Sequence, residues 1–178
     1  MCIDNDIKIA GDKPSLEIEK QKEQIGTVTV DAELKRKAKQ IGKEVAQIFA
    51  EDAKSSDIGD MENSTEELVA QRRLLLSFTA TAGFEEYIKD DALVGFAQKS
   101  FLDTLKKIDG ALFKSSSDTG AFSFYYLAYR RGSETERRIG QTFAMLCSHD
   151  GDPIYQELGE ALYCWFISEV RKTVQKYI

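Results

Sequence analysis

The sequence predicts an all-α fold, a single-domain bundle of about six helices packed around a buried C-terminal helix. Three observations carry that expectation. Within residues 152–177 the run Ala161, Leu162, Tyr163, Cys164, Trp165, Phe166, Ile167 is apolar without interruption. A helix that is apolar all round belongs inside other elements, because no single neighbour hides its whole surface. After residue 30, apolar residues recur at spacings of three and four along most of the chain, the period of an amphipathic helix. Finally, the 178 residues include only two prolines, which favours long helices, since proline removes a backbone donor and clashes inside a helix.

Taken in order, residues 1–30 form an N-terminal arm, extended or a short helix, and residues 31–178 a single helical domain. In the arm, Ile7 and Ile9, Leu16 and Ile18, and Val28 and Val30 alternate with polar residues over spans too short to define a strand. Asp31 is placed to cap a first helix with the stripe Leu34, Ala38, Ile41, Val45, Ile48 and Phe49, lysines and Arg36 opposite, ending near Ala53. Ser64 and Glu67 have capping-box spacing and open a second helix, which Gly83 interrupts. Asp91 caps a third, whose stripe runs Val94, Ala97, Phe101, Leu105, Ile108 and Leu112. Residues 121–129 carry Phe122, Phe124, Tyr125, Tyr126 and Tyr129. They read as helix, although aromatics also favour sheets. Ser133 and Glu136 form a second capping box before the stripe Ile139, Phe143, Leu146 and Cys147. Asp152 as cap and Pro153 at the first helical position then launch the last helix.

Net charge −6 argues against nucleic acid, which wants a strongly basic face. The longest apolar run falls far short of the roughly 20 residues that cross a bilayer. Three cysteines with no short-spaced pair suit reduced thiols rather than a disulfide framework or zinc site. The opening Met-Cys-Ile-Asp-Asn-Asp lacks the basic and apolar regions of a secretion signal. A cytoplasmic protein is expected.

The first chemical candidate is the turn flanked by Arg130, Arg131, Arg137 and Arg138. Arginines beside the free amides of a helix start can hold a phosphate or carboxylate. The same arginines also offset a helix dipole and pair with Glu134 and Glu136. His149 with Asp150 is similar to the paired motif of the all-helical metal-dependent HD phosphohydrolases, which need a further histidine; His149 is the only one. Glu157 and Glu160 resemble the Glu-x-x-Glu of the all-α nucleotide pyrophosphohydrolases, but the chain has no Glu-x-x-Asp to face it. Cys147 and Cys164 lie on apolar stripes, and no nucleophile elbow, phosphate loop or dinucleotide fingerprint occurs. No metal and no cofactor are expected.

Two function classes remain. In one, the domain is a protein-interaction or scaffold module without catalysis, meeting a protein partner or its own copy and neither nucleic acid nor membrane. In the other, it binds or turns over a small anionic ligand with Arg130, Arg131, Arg137 or Arg138 beside an aromatic wall. An enclosed pocket bordered by two of those arginines would favour the second, and an exposed apolar face the first.

Overall fold

The computed structural model describes residues 31–54, 66–115 and 119–178. The arm expected over 1–30, and Ser64 of the first capping box, lie outside the described residues. Among the described residues there are seven α-helices and no strand. They are α1 (Ala32–Lys54), α2 (Glu66–Tyr87), α3 (Asp91–Ile108), α4 (Gly110–Ser115), α5 (Thr119–Tyr129), α6 (Thr135–Leu146) and α7 (Pro153–Tyr177). The fold is all-α and forms one domain around one core cluster.

Helix starts follow local chemistry, with two shifts from the sequence reading. The Asp31 carboxylate accepts the Glu33 N–H at 3.0 Å, and that of Asp152 accepts the Ile154 N–H at 2.9 Å. At α3 the cap is Asp90, one residue earlier than expected, accepting from Ala92 and Leu93 at 2.8 and 3.3 Å. At α6 the Ser133–Glu136 capping box does not form. Glu134 occupies the cap position in left-handed conformation (φ 56°) without a side-chain cap bond. The Thr135 hydroxyl instead donates to the Gly132 carbonyl at 2.8 Å. The long third stripe is also broken. Asp109 is extended (φ −156°, ψ 111°), its carboxylate accepts the Leu112 N–H at 3.2 Å, and Leu112 reaches the core from α4. Ile108 is left exposed.

The surrounded helix is α2, not α7. Every residue from Leu74 to Ala80 is buried, followed by Ala82, Gly83 and Phe84. Helix α7 buries the stripe Gly159, Leu162, Tyr163, Phe166, Val170, Thr173 and Val174, while Ala161 and Cys164 are exposed and Trp165 is 39% exposed. Gly83 does not interrupt α2. It admits α7, since a Cβ there would lie 2.7 Å from a Val170 methyl.

Helices α1 and α3 run parallel and close. A Cβ on Gly42 would sit 2.1 Å from the Ala97 carbonyl oxygen. Phe49 of α1 packs edge-on against Phe101 of α3 (5.9 Å between centroids) and lies 6.1 Å from Phe166 of α7. Burial of each such ring contributes roughly 1.5–3 kcal/mol, so this three-helix junction is one anchor of the core. A second is the aromatic helix α5, laid on Phe78 of α2.

Candidate functional site

Phe78 of α2 is the platform on which α5 is laid. Tyr125 stacks on it at 5.2 Å, and Phe122, Tyr126 and Tyr129 meet it edge-on at 5.9, 5.2 and 6.3 Å. Offset and edge-on pairs each add roughly 0.5–1.5 kcal/mol beyond area burial. Two phenols reach across to α2: Tyr126 Oη donates to Glu85 at 3.1 Å and Tyr129 Oη to Glu86 at 2.6 Å. Residues 122, 125, 126 and 129 therefore face inward, which fixes where the rest of α5 looks. Phe124 and Leu127 face out, 48% and 60% exposed, and Met145 of α6 joins them at 42%.

These side chains form a groove of about 320 Å³ between α5 and α6, lined also by Arg131, Arg138 and Asp150. Of the four arginines at the turn, the structure brings Arg131 and Arg138 together here. Arg138 Nε donates to the Ala128 carbonyl at 3.4 Å, which pins the guanidinium to the end of α5. Its Nη2 is buried and makes no hydrogen bond among the described residues. Arg130 lies over the Tyr126 ring at 5.5 Å, and Arg137 lies 3.8 Å from Glu134, an exposed pair. With α6 starting at Thr135, after the left-handed Glu134, these two arginines are turned away from the groove's lining.

The phenols and thiols nearby are held in their protonated forms by burial and by neighbouring carboxylates. Burial, then the neighbouring Glu85 carboxylate, pushes the Tyr126 phenol up to about 12. Burial, then the Glu86 hydrogen bond, raises Tyr129 further. Tyr125 is also raised by burial, with Cys147 alongside, and its hydroxyl is buried without a hydrogen-bond partner among the described residues. Cys147 is buried, and its thiol is pushed up to about 12 by burial and by Glu67, so almost none is thiolate at neutral pH. Cys164 differs from the sequence reading, being exposed, though partial desolvation and then Glu136 and Glu160 raise its thiol too.

His149 closes a turn. Its Nδ1 is 2.8 Å from the Cys147 carbonyl oxygen and its ring lies against Tyr155, 3.8 Å between centroids. Among the described residues no group of three His, Cys, Asp or Glu side chains is arranged to hold a metal, and no helix is long and apolar enough to cross a membrane. That some apolar surface of residues 121–129 is left over was readable from the sequence, but not that it is Phe124 and Leu127, joined by Met145. The signal was present in the aromatic count of α5, which exceeds what one buried face can take.

Comparison of the chain with known protein families, with curated proteins and with solved structures finds no match.

Proposed function

We propose that the domain is a protein-interaction module without catalysis, and that the α5/α6 groove receives an amphipathic helix with acidic flanks from a partner protein. The observation that carries this reading is the exposed row Leu127, Phe124 and Met145 in a groove that Arg131 and Arg138 also line. Apolar side chains at that exposure, gathered in one groove, gain most when a partner covers them. Helix-in-groove docking uses an apolar stripe of this kind. The two arginines outnumber Asp150 on the rim and select negative charge on the incoming helix. A second copy fits less well, because a two-fold interface would set this cationic rim against itself.

A labelled amphipathic peptide with a leucine stripe and glutamate flanks tests the reading by fluorescence anisotropy. Wild type should bind it, Leu127→Ser and Arg131→Glu should each weaken binding by about tenfold or more, and lysine flanks should abolish it. Equal binding of both peptides, or indifference to Leu127→Ser, overturns the reading. The alternative is a small anion held by Arg131 and Arg138, favoured by the unbonded Nη2 of Arg138. In that case inorganic phosphate should compete with the peptide and Leu127→Ser should leave phosphate binding intact.

A further inference from the structure

A second surface, on the opposite helix pair, has a different chemistry. The α1/α3 cleft encloses about 610 Å³ and is lined by Lys35, Lys39, Lys43, Lys99, Lys107 and Phe96, with Asp103 its single carboxylate. In a chain of net charge −6, this is a local excess of four positive charges. Among the described residues none of the five lysines is in an ion pair. Lys35 lies 4.5 Å over the Phe96 ring, and Ser100 Oγ donates to the Lys39 carbonyl at 2.7 Å. These contacts hold the two rows of lysines side by side. Like charges gathered this closely repel one another and are relieved by a counter-anion.

We infer that this cleft binds a compact, multiply phosphorylated small molecule. Three features select that class. The cationic groups are all lysines, compact point charges of a kind that binds phosphate, and five of them against one carboxylate suit a ligand that carries several negative charges. The tract from Lys35 to Lys43 spans about 12 Å at 1.5 Å per residue, which suits a ligand the size of a nucleoside triphosphate or an inositol phosphate. The chain's net charge of −6 also disfavours a long nucleic-acid strand over a short ligand that stays among the lysines.

The test uses inorganic triphosphate as the probe, by isothermal titration on the full chain at fixed ionic strength. The triple variant Lys39→Gln, Lys43→Gln, Lys99→Gln changes only exposed positions. Wild type should bind with one-to-one stoichiometry and the variant about tenfold or more weakly, while Lys172→Gln, an exposed change on α7 outside the cleft, leaves binding unchanged. Amide chemical shifts of wild type should move along α1 and α3. Equal binding by wild type and the triple variant, shifts confined to the α5/α6 groove, or an oligoglutamate peptide binding as well as triphosphate would each overturn the assignment.

Discussion

Ser148 holds a backbone position that favours glycine. Its φ is 61°, and it ends α6 with its own N–H bonded to the Met145 carbonyl at 3.1 Å and the His149 N–H bonded to Ala144 at 2.9 Å. That pair of bonds is a Schellman ending, whose left-handed residue is usually glycine. The left-handed conformation costs an L-residue roughly 1–2 kcal/mol, part of which glycine gives back through its freer unfolded chain. Ser148→Gly should therefore raise stability by about 0.5 kcal/mol in urea denaturation, and a loss of that size would contradict the account. Glu44 gives the pH dependence. Burial by itself would raise its carboxyl, but donors on Tyr177, Lys176 and Gln40 outweigh burial and hold it below the ordinary value of 4.5. A carboxylate depressed in the folded state stabilises fully above its unfolded pKa, and the contribution fades as pH falls through the folded one. Glu44→Gln should thus be less stable than wild type at neutral pH, with the gap closing below about pH 4.5. A gap that persists in acid would mean that the loss came from packing.

At the scale of elements, the helix pairs are set by how closely their backbones approach. Gly42 lets α1 meet α3, and Gly140 lets α6 meet α7, where a Cβ would lie 2.3 Å from the Gln156 carbonyl oxygen. Carbonyls are fixed by their own helices and cannot yield as a side-chain tip does, so an added methyl must push the helices apart. Gly42→Ala should cost about 1–3 kcal/mol or more, as overpacking does. Gly95 of α3 meets nothing within 4 Å of its virtual Cβ, and there only propensity counts. Gly95→Ala should gain about 0.5–1 kcal/mol. Thermal denaturation of the two variants reads out opposite signs from one chemical change, and equal signs would refute the packing assignment. The α1/α3 contact also carries the lysine cleft, so Gly42→Ala should weaken triphosphate binding as well.

For the molecule as a whole, helix content was legible because the stripes in α1, α3 and α6 repeat every three or four residues, and Asp31, Asp152 and Pro153 have clear positional roles. The centre of the bundle was not. The run at Ala161–Ile167 looked like an axle, yet an apolar residue is not obliged to be buried, and Cys164 and Trp165 stay at the surface. Helix α2 was harder to read because Ser77 and Thr79, both buried, together with Thr81 suggest a polar face. Two of these hydroxyls are satisfied within their own helix, Thr79 donating to Leu75 at 2.8 Å and Thr81 to Ser77 at 3.2 Å, so they need no water. For the site, the arginines were visible in sequence, but which of them share a face depended on the left-handed Glu134 that resets α6. A helix enclosed on every side opens only when the whole domain does, whereas one with a wet face can open locally. Native-state hydrogen exchange should then find the slowest amides between Leu74 and Phe84 of α2, exchanging only by global unfolding. Amides around Ala161 to Trp165 of α7 should exchange faster and respond less to denaturant. The reverse order, with α7 the last to open, would return the C-terminal helix to the centre of the fold.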